Sequence, residues 1–146
     1  MTEIPLKLAD VLADFELITD RNERADYLID IADRFKNVKV PPEIATQPYD
    51  EARRVPACES EAFVWPVEQQ DGTLRFYFDV LNPQGLSAMA MAVILDETCS
   101  GAPLAQVAAV QPDIVFKLFG KEISMGKGQG LMGIVGMVQY EAKKRM

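Results

Sequence analysis

Apolar residues recur at helical spacing from the start of the chain. Leu8, Val11, Leu12, Phe15 and Ile18 mark one face of residues 4–18, Asp10 and Asp14 lie opposite, and Pro5 suits a first turn. Thr19-Asp20 then predict a cap for a second helix over residues 21–35, with Tyr27, Leu28, Ile31, Ala32 and Phe35 as its apolar stripe. Its charges, Arg21, Glu23, Arg24, Asp26, Asp30, Asp33 and Arg34, read as a solvated face. Residues 38–48 show neither period, and Pro41-Pro42 and Pro48 predict an extended linker crossing the surface.

The period changes to two after residue 61. Phe63, Val64, Trp65 and Val67 predict a strand over Ala62–Glu68, and Gln69-Gln70-Asp71-Gly72 predict a turn. Leu74, Phe76 and Phe78 then alternate with Thr73, Arg75, Tyr77 and Asp79 in a second strand over residues 73–80. Pro66 places the first strand at an edge or a bulge. A third strand is expected from the residues just before the loop that carries Cys58 or from the tail of Val80-Leu81. Residues 86–98 are apolar nearly all round, too short to cross a bilayer, and predict a core helix whose methionines fill gaps. Short helices follow over residues 104–110 and from Pro112 to Phe119, with Gly120 as a cap. A glycine-rich turn over residues 124–130 leads into a C-terminal helix, and Lys143-Lys144-Arg145 suit its negative end. The glycines do not form a phosphate loop: the Gly-Lys-Ser/Thr order is missing and no strand precedes them. Gly126, Gly130 and Gly133 are better explained by close helix packing or a flexible turn.

The chain of 146 residues is long enough for one domain with a real core, and 49% hydrophobic content argues against disorder. A net charge of −7 argues against nonspecific binding to nucleic acid or an anionic membrane. The first residues lack the basic and apolar regions of a signal peptide, so a cytoplasmic location is expected. Histidine is absent, which removes Cys-His dyads, Ser-His-Asp triads and His-rich metal sites. Two cysteines, Cys58 and Cys99, are too few for a four-ligand zinc or cluster site within one chain. They suffice for a disulfide, which cytosolic proteins rarely keep.

Chemistry therefore centres on one stretch, Arg53-Arg54-Val55-Pro56-Ala57-Cys58-Glu59-Ser60. Pro56 disfavours a smooth strand, so Cys58 is expected at a loop tip. A free thiol of pKa ~8.5 is only slightly ionised at neutral pH. Arg53 and Arg54 would raise that fraction if they folded back on the sulfur, while Glu59 and Glu61 would oppose them. Ser60 is placed to hold the turn by bonding its backbone. On these residues alone Cys58 is either a working thiol or a small buried hydrophobe, and Cys99, at the end of an apolar helix, reads as packing.

The stretch resembles the acceptor loop of the SufE family, Arg-Val-x-Gly-Cys-x-Ser-x-Val-Trp: Arg54, Val55, Cys58 and Ser60 match, Ala57 replaces the glycine, and Ala62-Phe63 replace Val-Trp. The resemblance runs from Asn22-Glu23-Arg24-Ala25-Asp26-Tyr27-Leu28-Ile29 to the C-terminal helix. The family's Ser/Thr-Pro-Ser-Arg-x-x-Gly-Leu junction is matched by Ser124 and Gly130-Leu131, with Lys127 in place of the arginine. It implies a single α+β domain over residues 1–146, SufE/IscU-like, with a small antiparallel sheet and helices packed on one face. It also implies that Cys58 accepts persulfide sulfur, with Arg54, Ser60 and Lys127 in support. The implied partners are a PLP-dependent, SufS-like cysteine desulfurase, which this chain activates, and a downstream cluster scaffold. The PLP belongs to the desulfurase, so no cofactor and no metal are expected here, in a monomer or homodimer. Val55, Ala57, Phe63 and Trp65 are expected to shelter the carried sulfur, in a loop that tucks against the domain and swings out to the donor. The competing expectations are an IscU-type cluster scaffold, disfavoured by the cysteine count, and a noncatalytic interaction domain. A cysteine hydrolase lacks its histidine base.

Overall fold

The computed structural model describes residues 3–146. Pro5 precedes α1 (Leu6–Glu16), which buries Leu8, Leu12 and Phe15, with Ile18 just beyond its end. The Asp20 side chain caps α2 (Arg21–Ala32) by accepting from the Asn22 N–H. α2 stops before Phe35, which starts a separate 3-10 turn, and it buries Ile31 and Ala32 while leaving Tyr27 and Ile29 largely exposed. The predicted stripe is therefore narrower in the fold than in the sequence.

β1 (Ala62–Glu68) and β2 (Leu74–Val80) pair antiparallel in unbroken register, from Ala62 opposite Val80 to Glu68 opposite Leu74. Asp71 holds the hairpin by accepting from the Thr73 N–H and hydroxyl, and Gly72 supplies its positive φ of 85°. Pro66 introduces no bulge. Alternation gives the sheet two faces. Ala62, Val64, Leu74, Phe76, Phe78 and Val80 join the main core, where α3 (Leu86–Cys99) packs on β2 and α6 (Met125–Lys143) on β1. This is the expected α+β arrangement, with helices on one face.

The second face is covered by chain without regular structure. Phe63, Trp65 and Val40 form a separate apolar cluster, on which Tyr49 lies edge-on, 5.1 Å from the Phe63 ring and 4.7 Å from Trp65. The Tyr49 hydroxyl donates to the buried Asp79 carboxylate at 2.6 Å. The segment expected to be a surface linker is thus a cover for the sheet. Its start also extends the sheet: Val40 N–H donates to Phe78 O and Phe78 N–H to Val38 O. On the other edge Arg54 bridges Phe63, and Val55 N–H donates to Ala62 O at 2.8 Å. Each edge therefore gains a single bridge, one from the expected residues before the cysteine and one from a segment with no strand signal.

α4 (Leu104–Ala108) and α5 (Ile114–Phe119) follow α3, and Gly120, at φ 92°, ends α5. α6 begins earlier than expected. Ser124 caps it by accepting from the Lys127 N–H, so Gly126, Gly128 and Gly130 lie inside the helix rather than in a turn before it.

Candidate functional site: the Cys58 loop and its seat

Residues 56–61 form a tight loop closed by the Val55–Ala62 hydrogen bond. Ala57 (φ 59°) and Glu61 (φ 53°) both adopt the left-handed region. The position where the family motif has glycine does require positive φ, and an alanine there is strained. Glu61 N–H donates to Cys58 O, Leu81 N–H to Glu61 O, and Asn82 N–H to Ser60 O, which lace the loop to the exit of β2.

The backbone of the loop tip faces solvent, but the sulfur faces inward. Pro56, Ala57 and Glu59 are exposed, whereas Cys58 is only 8% exposed and belongs to the main core. It lies on α6 where that helix has no side chains: a Cβ on Gly130 would sit 3.4 Å from Cys58 Sγ. Beside the sulfur is a cavity of about 100 Å³, bordered by Ser60, Gln84, Ser87, Ala88 and Lys127. Lys127 also lines a larger groove of about 890 Å³ that shares Gln84 and Ser87 with the cavity.

Of the residues given a role around the thiol in the sequence, Cys58, Glu59, Ser60 and Lys127 meet at this cavity, and Arg54 does not. Arg54 lies over the Phe63 ring at 5.7 Å and within 3.9 Å of the Glu61 carboxylate. Arg53 reaches the largely buried Glu141 on α6 at 3.5 Å. Arg53 pairs with a carboxylate of α6 and Arg54 with one inside the loop, so neither arginine folds back on the sulfur. The expected apolar shelter is also different. Val55 is buried beneath the loop against Gly133, Ala57 is exposed, and Phe63 and Trp65 belong to the cluster on the other face of the sheet. The walls are instead the start of α3 and the glycines of α6, which no sequence signal tied to the thiol. The Gly126, Gly130 and Gly133 spacing signalled close packing, but nothing local named the loop as the packed object.

Cys99 is of the other kind. It is 0% exposed, and burial pushes its thiol up to about 11 despite a contact with Thr98 Oγ1 at 3.6 Å. Both cysteines are free. Among the described residues no helix is long and apolar enough to cross a membrane.

The SufE family model, described as an Fe-S metabolism associated domain, matches residues 9–142. The solution structure of a hypothetical protein from Thermus thermophilus superposes with a TM-score of 0.74 over 97% of each chain, at 24% identity, and so shares the fold. No curated protein matches the chain. With the family model spanning nearly the whole sequence and the fold repeated in a solved structure, the chain belongs to the SufE family, whose domain is associated with iron–sulfur metabolism.

Proposed function

We propose that this chain acts as a single domain that accepts sulfur on Cys58 from a PLP-dependent cysteine desulfurase and passes it to a cluster scaffold. The Cys58 thiolate attacks the outer sulfur of a persulfide held on the donor. A new S–S bond forms to Cys58, the donor's own S–S bond breaks, and the donor cysteine leaves as a thiolate. No net oxidation occurs, and the reaction needs no imidazole or metal, only a reachable thiolate. Clearing the donor cysteine frees it for another turnover, which is how the acceptor stimulates the desulfurase.

The observation that carries this reading is the cavity of about 100 Å³ against the Cys58 sulfur. A water-sized group needs only about 10–15 Å³ of such space, so one added sulfur atom has room without moving the core. Ser60, Ser87, Gln84 and Lys127 line that space and carry hydrogen-bond donors for an anionic terminal sulfur, against the opposing charge of Glu59, which lines it too. Withdrawal into the cavity keeps the persulfide from reductants and oxidants. It also requires residues 56–61 to leave their seat for the sulfur to meet a donor.

The test is mass spectrometry of the protein after incubation with a desulfurase and cysteine. One added sulfur atom on Cys58 is expected in the unchanged protein and in Cys99→Ser, and none in Cys58→Ser. Undiminished sulfur loading of Cys58→Ser would end the proposal.

A further inference from the structure

We propose that Gly130 of α6, with Gly85 facing it across the cavity, is a positioning residue that sets how far the Cys58 sulfur is withdrawn from solvent. The proposal deepens the sulfur-acceptor reading and takes its functional meaning from it, although the seat itself can be measured without any donor.

α6 carries five glycines, Gly126, Gly128, Gly130, Gly133 and Gly136, which is a poor composition for a helix of 19 residues. They are not equivalent. A Cβ on Gly136 would meet nothing within 4 Å, those on Gly126 and Gly128 would make only ordinary contacts of 3.7 Å or more, and one on Gly133 would lie 2.8 Å from Val55 Cγ1 and 3.1 Å from Pro56 O, at the base of the loop rather than at the sulfur. A Cβ on Gly130 would lie 3.2 Å from Cys58 Cα, 3.4 Å from its Sγ and 3.5 Å from Ala57 O. The tightest of those contacts, at 3.2 Å, is to backbone, so no rotamer change relieves it, and the loop must give by a few tenths of an ångström away from the helix. On the other side, a Cβ on Gly85 would lie 2.8 Å from Val80 Cγ1 at the end of β2 and 3.0 Å from both Cβ and Oγ of Ser60. The loop is therefore held between two surfaces stripped to backbone, one contacting the cysteine and the other contacting the serine two residues later. Filling the Gly130 side also intrudes on the space beside the sulfur, so crowding and loss of volume act in the same direction, outward.

The experiment compares the rate at which iodoacetamide alkylates Cys58 in the unchanged protein, Gly130→Ala and Gly136→Ala, read by peptide mass spectrometry, with melting temperature recorded alongside. Overpacking by one methyl against backbone shifts the seated–lifted balance by about tenfold. Alkylation of Cys58 should rise about tenfold in Gly130→Ala by that shift, with Cys99 still unmodified, and stay unchanged in Gly136→Ala. Equal rates in all three proteins, or equal acceleration by both substitutions, would overturn the proposal. Should Gly130→Ala not fold, Gly85→Ala takes its place, and a Cys58 rate unchanged from the parent is equally fatal. After loading with desulfurase and cysteine, the persulfide of the crowded variant should be lost to a thiol reductant faster than that of the parent. If the parent never loads, the acceptor reading fails while the alkylation result still decides the role of Gly130.

Discussion

Arg24 looks like one more solvated charge on α2, yet its guanidinium closes the ends of two other helices. One terminal nitrogen donates to the carbonyls of Lys117 (3.0 Å) and Leu118 (2.8 Å) in the last turn of α5. The other donates to Phe15 (3.3 Å) and Ile18 (3.0 Å) at the end of α1, with the charge 5.7 Å from the Phe15 ring. These carbonyls lie at the negative ends of both helix dipoles, where helix geometry leaves acceptors open, although Phe15 O also accepts from the Ile18 N–H at 3.1 Å. A hydrogen bond from a charged donor contributes about 1.5–3 kcal/mol net, but four sharing one partly buried group are far from additive, so Arg24→Ala should cost about 3 kcal/mol in all. For a chain of this length that lowers the melting temperature by roughly 6–12 °C. Arg34 is the control on the same helix. It binds Glu97 bidentately at 2.8 and 2.9 Å, but the two side chains are 46% and 45% exposed, so Arg34→Ala should cost only about 0.5 kcal/mol. Arg24→Lys should recover only part of the loss, because a compact ammonium cannot span both helix ends. Thermal or urea unfolding of the three variants is the assay. Equal losses for Arg24→Ala and Arg34→Ala, or full recovery with lysine, would refute the reasoning.

Further outcomes follow from the sheet cover and the loop. Burial, and then the bond to Asp79, push the Tyr49 hydroxyl up to about 12. The unfolded value is about 10, so the folded chain holds this proton more tightly; the resulting stability is complete below pH ~10 and is lost as pH rises toward 12. Tyr49→Phe should flatten that alkaline slope and cost about 1–3 kcal/mol at neutral pH by leaving the Asp79 carboxylate short of a partner, as denaturation midpoints across the range will show. Ala57→Gly should raise stability by about 1 kcal/mol, since glycine takes the left-handed conformation without strain; an unchanged urea midpoint would mean that the strain is not there. Cys99 should resist alkylation until denaturant is added, whereas Cys58 reacts slowly in the native protein; labelling of both at the same native rate would contradict the burial difference.

The chain by itself determined whatever depends on neighbours in sequence. Leu74, Phe76 and Phe78 alternate because strand geometry sends every second side chain to one face, and that period decided which face became core. Pro56 and the turn around it placed Cys58 in a loop, the missing histidines left the thiol as the main candidate for chemistry, and the motif around it pointed to the family. Other features were set by segments far apart in the chain. The carbonyls bound by Arg24 lie as many as 94 positions away, so nothing on α2 separates it from Arg34. Val38 and Val40 contribute too few residues to show a period, and they count as sheet only because Phe78 lies beside them. The inward turn of the Cys58 sulfur, the pairing of Arg53 with Glu141, and the seat made by Gly85 and Gly130 all arise where the loop and its base meet α3 and α6. Local sterics select a backbone shape from a few residues, but burial and contact at that loop are properties of surfaces that exist only once distant segments have packed.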